Sequence, residues 1–268
     1  MTVWSFGKYE DVDVEVTASS NNGSMTSQLL NSSVKNSSSF NITLTHESNK
    51  LSGVHAATGN INLQNVALHN LTSFTIADAL TVGAHTGSDG IDAEQNLATI
   101  KVGTAETKGT ASFGKGAKLY ANLSLSSGSE VTVSGALTMG SGTAPASEGD
   151  AVSTGYTLSL EKGITLKLKD DLLTQIGNLT ASSEPLVLIT GVNTLQLGDQ
   201  TYTVGSQVLT DAKSVSLSDY ITIEGFENYY VSFNSEGSVI AGLSVPEPTT
   251  ATLGLLALAG LCARRRRK

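Results

Sequence analysis

Short runs in which an apolar residue alternates with a polar one recur from Phe40 to about Leu168. They include Ile42-Thr43-Leu44, Ile61-Asn62-Leu63, Leu80-Thr81-Val82, Ile100-Lys101-Val102, Leu123-Ser124-Leu125, Val131-Thr132-Val133, Leu137-Thr138-Met139 and Leu158-Ser159-Leu160. A period of two puts the apolar side chains on one face of a strand and the polar ones on the other. Gly, Ser, Asn and Asp separate the runs, and glycine supplies the positive φ that sharp corners need. Ala79–Ala84 aligns with Thr99–Thr104 at an offset of 20 residues, and the series Ile61, Leu80, Ile100, Leu119, Leu137, Leu158 advances by 18 to 21. A coil of that length turns once and stacks on the next, so that inward Leu, Ile and Val line one continuous core. The predicted fold is all-β: a single-stranded right-handed parallel β-helix, a solenoid with coils of about 20 residues. An antiparallel β-sandwich is the alternative, since strands spaced about 8–12 residues apart fit it too.

The flanks differ in texture. Asp11 to Val16 alternates acid and valine, placing Asp11, Asp13 and Glu15 on one strand face, which reads as a solvated face. Residues 19 to 39 are Ser/Asn-rich, so 1–39 is read as an irregular segment or the first coils, ahead of a solenoid over 40–168. Beyond it, Lys169–Gly177 predicts a short helix with aspartates in its first turn. Pro185–Ile189 predicts a fully buried strand, and Tyr229–Phe233 with Ser238–Leu243 a hairpin. Residues 169–244 thus form a C-terminal β cap over an otherwise exposed strand edge.

The last 24 residues have a different logic. Val245, Pro246, Glu247 and Pro248 form an extended hinge, because each proline fixes φ and removes a donor. Thr249 to Ala263 carries no charge, and Arg264, Arg265, Arg266, Arg267 and Lys268 end it as a membrane stop. Fifteen helical residues span roughly 22 Å against about 30 Å of hydrocarbon, a short transmembrane helix. The cations hold that end in the cytoplasm and place the preceding chain outside.

Composition narrows the chemistry. Removing the five basic tail residues leaves 11 Lys+Arg against 24 Asp+Glu, about −13, which speaks against nucleic-acid partners. The single cysteine, Cys262, sits in the tail, so no intrachain disulfide and no Cys-based metal site forms. His46, His55, His69 and His85 lack metal-ligand spacing and read as solvated turn residues. Gly109–Gly116 imitates a phosphate-binding loop, but Gly116 stands where the Mg²⁺-holding hydroxyl belongs. Asp89, Asp92 and Glu94 cluster in a loop without EF-hand spacing. Seven Asn-x-Ser/Thr sequons, at Asn22, Asn31, Asn36, Asn41, Asn70, Asn122 and Asn178, follow from the composition and by themselves imply no modification. No catalytic residue, metal or cofactor is assigned, and the chain is read as no enzyme.

The order of hinge, apolar segment and basic end resembles the PEP-CTERM sorting signals of Gram-negative bacteria. The resemblance implies recognition of Val245–Pro248 by an exosortase-type membrane protease, with cleavage or re-anchoring at the surface. In texture alone, the body resembles autotransporter-type passengers and related bacterial surface proteins. The resulting expectation is a non-catalytic, exported, cell-surface or extracellular-matrix protein. It serves adhesion or envelope structure, with an extracellular glycan or matrix as its partner class. It resides in the cell envelope or outside it, tethered to the membrane at least transiently. The alternative is a secreted polysaccharide-active lyase or glycosidase, which needs paired carboxylates about 5–9.5 Å apart. Against it, no arginine precedes Arg264 and the one tryptophan is Trp4. Met1–Lys8 shows no basic region followed by an apolar run, so a surface address predicts a start further upstream or a longer exported protein.

Overall fold

In the computed structural model of the chain, the backbone is described for the strands within 3–64 and for 67–83, 98–140, 156–212 and 214–244. Side chains are described for 67–82, 98–140, 156–209 and 214–244. Strands follow one another in triplets. The first holds β1 (Val3–Ser5), β2 (Lys8–Glu10) and β3 (Val14–Ser20), the second β4 (Ser24–Leu30), β5 (Ser33–Lys35) and β6 (Phe40–His46). Then come β7 (Thr58–Gln64), β8 (Ala67–Leu71) and β9 (Ser73–Ile76), and β10 (Leu80–Gly83), β11 (Thr99–Val102) and β12 (Thr110–Phe113). The fifth triplet is β13 (Lys118–Tyr120), β14 (Asn122–Leu125) and β15 (Glu130–Val133), and the sixth β16 (Leu137–Thr138), β17 (Tyr156–Leu160) and β18 (Ile164–Leu168). Helix α1 (Asp170–Gly177) leads to β19 (Leu186–Thr190), β20 (Val192–Leu197) and β21 (Gln200–Thr203). After α2 (Gln207–Ala212) the chain ends its described part in β22 (Ser214–Ser216), β23 (Ile221–Ile223), β24 (Tyr229–Asn234) and β25 (Val239–Leu243).

Each strand of a triplet pairs in parallel with the strand three places on. Three sheets result: β1-β4-β7-β10-β13-β16-β19, continued by β25-β24-β22; β2-β5-β8-β11-β14-β17-β20, continued by β21; and β3-β6-β9-β12-β15-β18-β23. These parallel ladders overturn the antiparallel sandwich, which is built from hairpins. Because the pairing is in register, inward residues stack in columns: Leu68, Ile100, Leu123, Leu158 and Leu195 in the second sheet, and Phe74, Ala111, Val131, Leu166 and Ile223 in the third. All ten are buried. Phe113 reaches Phe74 edge-to-face, with centroids 6.2 Å apart, over the small Ala111.

The period of 20 belongs to the shortest round only. Lys118 pairs with Thr138 and Ala111 with Val131, each 20 residues on. Elsewhere Phe74 advances 37 residues to Ala111, Leu158 advances 37 to Leu195, and Leu166 advances 57 to Ile223. The aligned segments Ala79–Ala84 and Thr99–Thr104 are not stacked equivalents, since β10 and β11 lie in different sheets. The variation sits at corners. Between the first and second sheets the corner is one residue, Ala121 or Gly191, in two rounds, whereas it takes in 84–98 and 139–155 in two others. At Gly191 φ is 77°, and an added Cβ would stand 2.3 Å from the Met139 carbonyl oxygen, so only glycine fits.

The C-terminal end changes pairing. β21 folds back antiparallel on β20, β25 on β19, β24 on β25 and β22 on β24, so the second sheet and the first end in antiparallel strands. The predicted helix is present, with Asp170 and Asp171 in its first turn and Leu172 and Ile176 buried, and the Tyr229 hydroxyl donates to the Ile176 carbonyl at 3.0 Å. The predicted hairpin is β24–β25. The strand expected to be fully buried, β19, instead exposes Val187 to 39% on its outer face. Among the described residues no helix is long and apolar enough to cross a membrane, and the segment 249–263 predicted to do so lies outside them.

Two stability measurements follow. Leu158→Ala removes the middle of a column and is expected to cost about 2–5 kcal/mol by urea unfolding. Ser129 is fully buried and its hydroxyl has no hydrogen-bond partner among the described residues. Ser129→Ala is therefore expected to raise the unfolding midpoint, by the equivalent of about 1 kcal/mol, since it removes an unpaired group and leaves the packing volume nearly unchanged.

Candidate functional site

The residues predicted to carry sorting, Val245 to Pro248 and Arg264 to Lys268, lie outside the described residues. The structure does fix where the chain departs towards them. β25 lies between β19 and β24, and just beyond it the Ser244 N–H donates to the Asn228 carbonyl at 2.8 Å. The hinge thus begins at the capped end of the stack. Residues 244–268 match the PEP-CTERM protein-sorting motif. A signal of this kind implies recognition by an exosortase at the membrane, and an exported, envelope-associated protein. Neither curated proteins nor solved structures gave a match to the chain.

A second site lies on the body. On the outer face of the second sheet, register places Thr99 beside Asn122, and Lys101, Ser124, Ser159 and Gln196 side by side on successive strands. With Thr157, Glu161 and Gly198 they border a cavity of about 440 Å³. Part of the hydrogen-bonding capacity is already used. The Asn122 carboxamide oxygen accepts from the Thr157 N–H at 2.8 Å, and the Ser159 hydroxyl donates to Gln196 Oε1 at 3.1 Å. Asn122 retains its amide donors. None of Thr99, Lys101 and Ser124 makes a side-chain hydrogen bond within the described residues.

Tyr156, the inward residue at the start of β17, lies behind this face with its ring 5.9 Å from that of Tyr120. Burial pushes its hydroxyl up to about 12, and Tyr120 adds to the effect. The charged groups on the third sheet are arranged differently. Lys167 contacts Glu130 at 2.7 Å and Glu224 at 3.8 Å; hydrogen bonding and charge from Lys167 lower the Glu130 carboxyl, and Glu130 in turn raises Lys167. These pairs are solvent-exposed ties between strands and hold the ladder with little energy.

The other sequence candidates do not converge. His69 lies on β8 and His46 on β6, while His55, His85, Asp89, Asp92 and Glu94 lie outside the described residues. The apparent phosphate loop is strand β12 with its corner, in which Ala111 and Phe113 are buried. No strand-to-helix turn exists there to cradle a phosphate. Asn122, read from sequence as a sequon asparagine, serves instead to tie β14 to β17. The row Lys101–Ser124–Ser159–Gln196 was missed because its members are 23, 35 and 37 residues apart; the one available signal was their place as the polar middle or flank of each alternating run.

Alkaline titration tests the environment of Tyr156. With a folded value above the unfolded one, its contribution to stability is complete below pH 10 and is lost as pH rises to about 12. Absorbance titration of phenolate is expected to show one late-ionising group among the seven tyrosines, and Tyr156→Phe to abolish that step.

Proposed function

We propose that this chain is a non-catalytic exported surface protein, in which a right-handed parallel β-helix displays polar faces for adhesion or envelope structure and the C-terminal tail sorts and anchors it. The observation that carries the reading is the sorting motif at 244–268 directly following a body of three parallel ladders. Handedness rests on chain geometry, since connections between parallel strands of one sheet are right-handed in about 98% of cases. Support for a non-catalytic role comes from the exposed rows, where Thr, Ser, Asn and Gln predominate. In the tail, residues 249–263 act as a membrane tether, and Arg264–Lys268 hold it until the exosortase acts at Val245–Pro248.

Intact-mass analysis of envelope and medium fractions from the native cell tests this. The expected species lacks the residues after the Val245–Pro248 hinge and is found outside the cell. Replacing Pro246, Glu247 and Pro248 by alanine is expected to retain the tail and keep the protein membrane-bound. A full-length 27.7 kDa species confined to the cytoplasm would overturn the proposal.

A further inference from the structure

Alternation along the strands makes the outer face of the second sheet a trough. Ile100, Leu123, Leu158 and Leu195 turn inward, so between the two outward columns only backbone faces solvent. One wall holds Thr99, Asn122 and Thr157, the other Lys101, Ser124, Ser159 and Gln196. Wall residues on one strand are two positions apart, about 7 Å, and four strands give a length of about 14 Å. The fourth member of the first wall, Thr194, turns to Thr203, with their hydroxyls 3.5 Å apart. Thr157 offers an unspent hydroxyl in addition to those of Thr99 and Ser124.

We propose that this trough binds a neutral polysaccharide chain laid across the strands, one ring per rung; the inference rests on the surface role proposed above and names its ligand. The width admits a pyranose ring. The rung spacing of about 4.8 Å is close to the advance of one ring along an extended β-linked chain. Each rung presents hydroxyl or amide groups that both donate and accept, which matches a polymer of hydroxyls. Lys101 and Glu161 are the charged groups on the rim, one of each sign, so the trough itself favours neither anion nor cation. An acidic polymer would in addition meet the field of a body carrying about −13.

The test uses the purified full-length chain and titration calorimetry with cello-, xylo- and chito-hexasaccharides as neutral probes and a polygalacturonate hexamer as the acidic one. At least one neutral hexasaccharide is expected to bind, more tightly than its disaccharide and with no dependence on salt. Ser124→Ala combined with Gln196→Ala should weaken binding about tenfold or more. Thr99→Val, on the opposite wall, should weaken it independently, and Thr132→Ala on the third sheet should leave it unchanged. Melting curves confirm that each variant folds. Absence of binding by all neutral probes would overturn the proposal, as would binding of the acidic probe alone or an affinity unchanged in the folded wall variants. Such a failure leaves the fractionation result intact, because that experiment reads the tail and this one the trough.

Discussion

Everything in this molecule depends on strands hydrogen-bonding in parallel to the strand of the next round. A single triplet has three short strands of three to seven residues and cannot bury its own apolar face. Stacking solves this by placing like on like, so that a column such as Leu68, Ile100, Leu123, Leu158 and Leu195 is closed above and below by neighbours. The same constraint explains the polar exterior. Whatever faces out on one strand lies about 4.8 Å from its counterpart on the next, so small hydroxyls and amides stack where rows of like charge would repel. Chain length between counterparts is free by comparison, because only the ladder positions are constrained; extra residues are absorbed at corners.

That freedom decides what a sequence can disclose. Strands were legible because alternation is local, and α1 and the β24–β25 hairpin were legible because aspartates at a helix start and a Gly-containing turn act within a few residues. The stacking partners were not. A period of 20 is visible between Lys118 and Thr138, where both corners are minimal, but insertions before β11 and β17 shift later rounds off the lattice. In β8 local alternation itself fails: Leu68 and Leu71 are both buried although three residues apart, because Asn70 takes φ 58° and bulges the strand. The sorting motif was legible entirely from sequence, since its parts are contiguous. The trough was not, because its walls exist only once the register of four strands is known.

Body and tail divide the work between two kinds of encoding. The tail is read as a linear string, by its prolines, its apolar run and its terminal cations, and needs no folded partner within the chain. The body is read only as a surface, whose elements come from strands up to 37 residues apart in the ladder. Each therefore tolerates different changes. Corner insertions leave the body's columns intact, whereas a single insertion in the hinge would alter the string.

The place where string and surface meet has a mechanical consequence. A pull on the tail enters the body at Ser244 and runs along β25, which is bonded on one side to β19 and on the other to β24. Both ladders cross the line of force, so their hydrogen bonds share the load in shear and do not open one after another as at a peeled edge. The last strand of the body is thereby a force-bearing coupling, fitted to transmit tension from an anchorage into the stack of rungs without unzipping it.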